Sequence, residues 1–550
     1  MKKPPNVNQS GIQFRFKKGD SIGELDAESD DHLLSECFID TGDYDTLTDC
    51  SKPQCVLVGR TGSGKSALLK RIVRYEERVI EIIPENLSLQ YICNSDIIKS
   101  LEAAGAKLDI FYNLLWRHVL STELLKYHYK LSTEEKTRNW LSNLLSNLKR
   151  KDQTKERAVK YINEWGNKFW EETEYRVKEI TQKLETDIHA EIGVDISTIN
   201  LSGTGKIREE SEQVTEVVNK AQRVINNIQI KSLSDVMCFL NEDVFNDKKV
   251  KTYVVIDKLD ESWAPDQVRY KLIRALVETL KSFRGISSVK ILVAMRRDLL
   301  ETIFSETRDV GFQKEKYESL FLSLTWTKNQ LKDLLDKRLR QLIKARYTVN
   351  SLGIEDIFPG KVNGIDFLDY LLERTLYRPR DAIAFVNECL IRSEGKQAIT
   401  ATVIHQAEIE HSTKRVQALE DEWIVHYPKL SDYFSLIERL PTSFKVLSIS
   451  KDKVETYALS HMENSDPNDP LDQASTKFIN NSSTHHAFVT VLVKCLYHIG
   501  VIGIKTNGFS KVRWSYMEGV SLSEGQIKPN STISIHPMIW NRVGTTPASA

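Results

Sequence analysis

Residues 54–69 read QCVLVGRTGSGKSALL, and this stretch leaves the chain few choices. A short apolar run, residues 55–58, enters Gly59-Arg60-Thr61-Gly62-Ser63-Gly64-Lys65-Ser66, and a helical pattern follows. The spacing G-x-x-x-x-G-K-S between a strand and a helix is that of a loop that wraps a phosphate group. Glycines let the backbone turn tightly enough for successive N–H groups to face one anion. The helix starting near Lys65 adds its positive end to the same place. On this reading Gly59, Arg60, Thr61, Gly62, Ser63, Gly64, Lys65, Ser66 and Ala67 surround a nucleotide. Lys65 reaches its β- and γ-phosphates and the Ser66 hydroxyl ligates Mg²⁺. A chance match is the alternative, and the flanking strand and helix weaken it.

Such a loop calls for a second strand ending in a carboxylate that completes the metal shell. Residues 252–263, TYVVIDKLDESW, supply one, with Asp257 where a buried strand leaves its sheet. Hydrolysis further needs a carboxylate that orients water and differs from the metal ligand. Lys258 occupies the position directly after Asp257, so the candidates are Asp260 and Glu261, with Asp260 first. The bland reading leaves both solvated, or has Glu261 cap the helix that begins near Pro265.

The D-x-x-D-E form resembles the acidic motif of STAND-class signal-transducing P-loop ATPases and of the related KAP-type ATPases. CFIDTGDY, GRTGSGKSALL, FWEETEYRVKEITQKLE, VIDKLDESW and GFQKEKYESL resemble segments of FunZ-type bacterial P-loop ATPases. The likeness runs from about residue 30 to the end. It implies ATP and Mg²⁺ as cofactors, ATP hydrolysis, and a setting in bacterial defence or mobile elements. By similarity to such cores, the strand at 289–295 lies between the two motif strands, which brings Arg296 and Arg297 to the nucleotide edge. Arg296 is the first candidate for sensing the γ-phosphate, against a plain ion pair with Asp298. Residues 375–390, TLYRPRDAIAFVNECL, resemble the sensor region of ORC-like and KAP proteins, and Arg380 is the candidate there, against an ion pair or helix start at Asp381.

The expected fold is α/β: a P-loop NTPase parallel sheet with helices on both faces, a large helical insertion, a helical lid and a C-terminal winged-helix-like domain. Further strands are expected at 79–83 and 319–326. The boundaries are an N-terminal extension at 1–35, core at 36–129, insertion at 130–230, core at 231–327, lid at 328–416, helical connector and linker at 417–476, and the winged-helix-like domain at 477–550. In the insertion, Trp165, Phe169, Val177, Ile180, Leu184 and Ile188 recur at helical spacing and read as packing. The helix at 328–347 places Leu331, Leu335, Leu339 and Leu342 on one face, with Lys337, Arg338, Arg340, Lys344 and Arg346 around the others. At the end, Asn507-Gly508 between apolar runs predicts a hairpin with a strand at 512–516, and a last strand follows at 533–537.

Lysine plus arginine equals aspartate plus glutamate at 76 each, so no global charge draws the chain to nucleic acid or lipid. Seven scattered cysteines without a C-x-x-C pair predict neither a zinc site nor a disulfide framework. No apolar run is long enough to span a bilayer, and the start is not a signal peptide, so a cytoplasmic protein is expected. The partners expected are a homo-oligomer on ATP binding and an effector protein on another chain, with DNA handling and a non-hydrolysing nucleotide-bound scaffold as rival functions.

Overall fold

Five short runs of β-branched and aliphatic residues form one parallel sheet: β1 Val56–Gly59, β2 Val79–Ile82, β3 Thr252–Ile256, β4 Val289–Arg296 and β5 Phe321–Ser323. Its order is β2-β3-β4-β1-β5, so β4 separates the two motif strands as expected. The three inner strands are buried along almost their whole length, while β2 and β5 at the edges carry exposed positions. Continuous apolar runs inside and mixed ones outside are what helices on both sides of a parallel sheet demand. In this computed structural model residues 15–87, 108–146, 156–160, 234–307, 315–347, 352–506, 510–518 and 522–546 are described, with a few single positions between 162 and 219. The aromatic stripe of the insertion and Asn507-Gly508 lie outside them.

The chain divides into two compact units, one of Asp40–Arg60 with Lys65–Leu324, the other of Met1–Ile39, Thr61–Gly64 and Thr325–Ala550. In the first, the helices Asp109–Tyr129 and Asp266–Phe283 are joined by Trp116 Nε1, which donates to the Leu272 carbonyl at 2.8 Å, and by Asn113, which donates to Glu278 at 3.0 Å.

The second unit holds two apolar cores and a short antiparallel hairpin, β6 Lys361–Val362 with β7 Ile365–Asp366. Lys328–Tyr347 buries Leu331, Leu335, Leu339 and Leu342 as the periodicity requires, against Phe367, Phe385, Val386 and Leu390. Arg338, expected on an outer face, is instead buried and ion-paired with Asp30. Of the N-terminal extension, residues 15–35 are described, and Phe16 and Ile22 there enter this core. The helix Ala401–Trp423, capped by Thr400, gives Val403, Ile404 and Ala407 to that core and Val416, Leu419 and Trp423 to the next.

The second core is built from β8 Ser443–Lys445, helices Lys451–Ser460, Pro470–Ile479 and His485–Ile499, β9 Ile502–Lys505 and β10 Thr532–Ile535, with sheet order β8-β10-β9. It corrects the sequence reading twice. The linker expected at the end of the 417–476 segment contains a helix start: Asp469 accepts the Leu471 and Asp472 amides, and Pro470 takes the first helical position. No strand forms at 512–516. Arg513 makes only an isolated bridge to Ile504, Ser515–Glu518 is helical, and β9 pairs directly with β10. Trp514 crosses the sheet at Gly503, where a Cβ would lie 2.8 Å from its ring.

His411 is a buried titratable group of this unit. Its Nε2 lies 3.3 Å from the Arg374 carbonyl and its ring stacks on Phe385. Burial pushes its pKa down to about 4, with Asp381 opposing. The unfolded chain therefore takes up a proton near pH 6.5 that the folded chain refuses until about pH 4, and stability falls as pH drops through that window. Replacing His411→Gln should flatten the wild-type loss between those pH values by roughly 2–3 kcal/mol, read by urea unfolding across the range.

Candidate functional site

The glycine-rich loop leaves β1 at Gly59, which pairs in register with Arg296 of β4. The helix Lys65–Tyr75 follows it and buries Leu68, Leu69 and Ile72, so Lys65 and Ser66 stand in the first turn and Ala67 is half-buried beside them. Lys65 is half-covered as a residue, but its Nζ turns inward and donates to the carbonyls of Gly59 and Arg60, each at 3.1 Å. Burial pushes its pKa down to about 8, while Asp260 and then Asp257 oppose the shift. An ammonium held on two neutral carbonyls near two carboxylates retains an incomplete shell of charge, the condition for attracting an anion.

The acidic corner distinguishes its members. Asp257 lies just past β3, half-buried, with Oδ1 accepting its neighbour Lys258 N–H at 2.8 Å. Asp260 is exposed, and its Oδ2 stands 3.6 Å from Arg296 Nη1. Glu261 turns to Lys258 Nζ at 3.4 Å and does not contribute to the helix start, which has Pro265 as its cap and Asp266 in its first turn. Arg296 forks onto Asp298, Nε to Oδ1 at 3.1 Å and Nη2 to Oδ2 at 2.6 Å. Arg297 opens the helix Arg297–Glu306. Lys65, Asp257, Asp260 and Arg296 thus form one electrostatic group, and Glu261 stands aside from it.

The tip of the loop, Thr61–Gly64, is fastened from its carbonyl side. Arg378 Nη1 donates to the Thr61 carbonyl at 2.9 Å, the Arg380 amide to the Gly62 carbonyl at 3.4 Å, and Trp326 Nε1 to the Ser63 carbonyl at 2.7 Å. Gly62 has φ +76°, and a Cβ there would meet Arg380 Cβ at 2.7 Å, so both conformation and space require glycine. The Arg380 guanidinium donates Nε to the Leu25 carbonyl at 2.9 Å. Thr61 Oγ1 and Ser63 Oγ are shielded from solvent with no hydrogen-bond partner among the described residues. Orphaned hydroxyls of this kind fit a loop whose polar groups are completed by an oxyanion.

Arg378 and Trp326 were missed by sequence reasoning, which placed its weight on Arg380. A signal did exist for Arg378: the residue before Pro379 is held extended, outside the helix, and Asp381 stands three positions on. Nothing local marks Trp326, whose partner lies far away in the sequence.

Ser66 and Asp257 offer the hard oxygen donors that Mg²⁺ takes, and phosphate-bound Mg²⁺ needs only one or two protein ligands. Among the described residues no group of three or more His, Cys, Asp or Glu could hold a metal by itself. No helix among them is long and apolar enough to cross a membrane.

Residues 329–420 match the family model described as the FunZ-associated C-terminal helical domain, and that span includes Arg378, Arg380 and Asp381. The chain is also similar to a protein of Escherichia coli (strain K12) named "Putative transposon gamma-delta 80.3 kDa protein". The two are 21% identical over 532 residues, covering 95% of this chain and 67% of the relative.

The depressed pKa of Lys65 yields a test. The binding-competent ammonium is depleted above about pH 8, whereas an arginine at this position stays charged. The ratio of wild-type to Lys65→Arg affinity for a nucleoside triphosphate should fall as pH rises through 8, approaching ~10-fold per pH unit. Calorimetric titration between pH 6.5 and 9.5 measures it, and a ratio independent of pH would show that the Lys65 charge does not serve binding.

Proposed function

We propose that this chain is a MgATP-binding P-loop ATPase that acts as a nucleotide-dependent molecular switch. The observation that carries the reading is Lys65: an ammonium folded onto the Gly59 and Arg60 carbonyls, in the field of Asp260 and Asp257, at the end of a parallel sheet from which both motifs leave. α/β sheets place their ligands at that end. The loop N–H groups and Lys65 would bind the β- and γ-phosphates, and Ser66 with Asp257 would hold Mg²⁺. The ion, when bound, screens charge on the phosphates. Asp260 is favoured over Glu261 for orienting the attacking water, because it shares the electrostatic group of Lys65 and Arg296 while Glu261 pairs with Lys258. Arg296, forked on Asp298, remains the candidate for sensing the terminal phosphate. The choice of adenine rests on resemblance, since no N/T-K-x-D guanine-reading motif occurs at the expected downstream position.

The β8–helices–β9–β10 arrangement supports the reading of a winged-helix-like module, beginning near residue 443 rather than 477. Its third helix, His485–Ile499, is buried at most positions, and its exposed lysine, Lys494, pairs with Glu524. That leaves little of the face that reads a DNA groove and favours packing or protein contact. The bases of Lys328–Tyr347 are largely engaged: Arg338 with Asp30, Arg340 with Asp336, Arg346 with Asp20 and Lys337 with the Phe38 carbonyl. A mobile-element setting draws on the name of the Escherichia coli relative, and the same name supports the DNA-handling alternative. Assembly of copies on ATP binding and an effector on another chain complete the proposal.

Phosphate release and ATP binding decide between the readings. Lys65→Ala should abolish ATP uptake. Asp260→Asn should keep uptake and lower the hydrolysis rate by ~10²-fold or more, and Glu261→Gln by less than ~10-fold. A wild-type chain that binds ATP without releasing phosphate would be a scaffold. Binding to duplex DNA that weakens steeply with salt would point to DNA handling.

A further inference from the structure

We propose that Arg378 is a positioning residue for the glycine-rich loop. By holding the Thr61 carbonyl it turns the Gly62 N–H toward the anion, and Asp381 and Glu422 hold Arg378 in turn. The proposal rests on the phosphate-binding reading of the loop.

A peptide unit is planar and trans, so the carbonyl of one residue and the N–H of the next point in opposite directions. The Thr61, Gly62 and Ser63 carbonyls are held in succession by Arg378, the Arg380 amide and Trp326. The N–H groups of Gly62, Ser63 and Gly64 must therefore face away from those donors. Gly62 and Gly64 have φ of +76° and +96°, and Ser63 between them is not left-handed. An alternation of this kind makes a concave nest of N–H groups that suits an anion. The helical region thus shapes the cradle from behind, by capturing carbonyls, without needing a side chain at the phosphate.

Among these donors Arg378 is the one whose side chain is fixed by carboxylates from two helices. Its Nε donates to Asp381 Oδ2 at 2.9 Å and its Nη1 to Glu422 Oε2 at 3.0 Å as well as to Thr61. The guanidinium is buried, and burial alone would disfavour its charge, but Asp381 and Glu422 outweigh that and raise its pKa. Asp381 stands in the first turn of Pro379–Ile391 and also accepts from Arg415 at 3.2 Å, while Glu422 stands near the end of Ala401–Trp423. The guanidinium is rigid, and its three acceptors come from three separate pieces of chain. A shift of either helix would therefore release Thr61, which makes the order of the loop conditional on the helical region.

Removing Arg378 alone would take a buried cation from two buried carboxylates, so the test uses Arg378→Met/Glu422→Gln, in which Asp381 keeps Arg415. Arg378→Lys, which retains the charge without the fork, is its companion. Hydrogen exchange of peptides covering residues 57–69 is followed in the full-length, nucleotide-free protein, and ATPγS affinity is measured by calorimetry. In both variants the loop amides should exchange ~10-fold faster or more than in wild type while peptides of β3 and β4 stay unchanged. ATPγS affinity should fall ~10-fold or more. Wild-type loop exchange in the folded double variant, or in Arg378→Lys, would overturn the proposal. So would faster loop exchange with unaltered ATPγS affinity. If wild type takes up no ATPγS yet the variants free the loop, the nucleotide reading falls and the carbonyl latch stands.

Discussion

A carbonyl that is held cannot turn, and neither can the N–H bonded across the same amide. That constraint governs the tip of the glycine-rich loop. Glycine-rich segments are the most costly to order, because each glycine has the widest backbone freedom to lose. Here the loss is offset by hydrogen bonds to Thr61, Gly62 and Ser63, two of them from the Trp326 indole, which packs against an apolar core, and the Arg378 guanidinium, which two buried carboxylates hold. Two buried carboxylates face the arginine and offset the cost of burying its charge, and a buried pair of this kind contributes little net stability of its own. Its value lies in fixing geometry, since breaking it would strand a charge away from water.

On the sheet side the problem is reversed. On the proposed phosphate-binding reading, Lys65 must keep its charge ready for a ligand without surrendering it to a full ion pair. Two main-chain carbonyls hold it, and Asp260 and Asp257 act on it by field rather than by a close bond. A further nearby carboxylate, Asp298, is occupied by two nitrogens of Arg296. Arg296 in turn faces Asp260, so that carboxylate is oriented by a cation that is already mostly neutralised. Each charge is partly satisfied and none is sealed, and the charge balance can shift when an anion arrives.

The parts of this design that the sequence disclosed are those with local signals. Apolar runs located all five strands to within a few residues, and resemblance put β4 between the motif strands, which follows in the register of Gly59 with Arg296. Spacing also revealed the buried face of Lys328–Tyr347. What stayed hidden are contacts made across hundreds of residues to main-chain acceptors, which carry no residue code. Arg378 reaches Thr61, Trp326 reaches Ser63, and Phe16 bonds to the backbone at Gly395 and Lys396. The misread linker at the end of the 417–476 segment is a different failure. Asp469-Pro470 is a helix start written in polar letters, and composition masked its position-specific meaning.

That Lys258 and not an acid directly follows Asp257 has a backbone explanation. Lys258 adopts φ +63°, a left-handed conformation uncommon for a side chain of this kind and costing about 1–2 kcal/mol. The chain turns there: the Lys258 N–H folds back on Asp257, and its carbonyl accepts the Glu261 amide at 3.2 Å. A carboxylate at position 258 would leave the strand on the path that now carries Lys258 outward to Glu261. The turn instead brings round the residue two positions later, Asp260, to stand beside Arg296. The strained residue is therefore what allows an acid to be spaced three positions from Asp257 and still share its corner, and the lysine sitting on it anchors Glu261 away from the group that Asp260 joins.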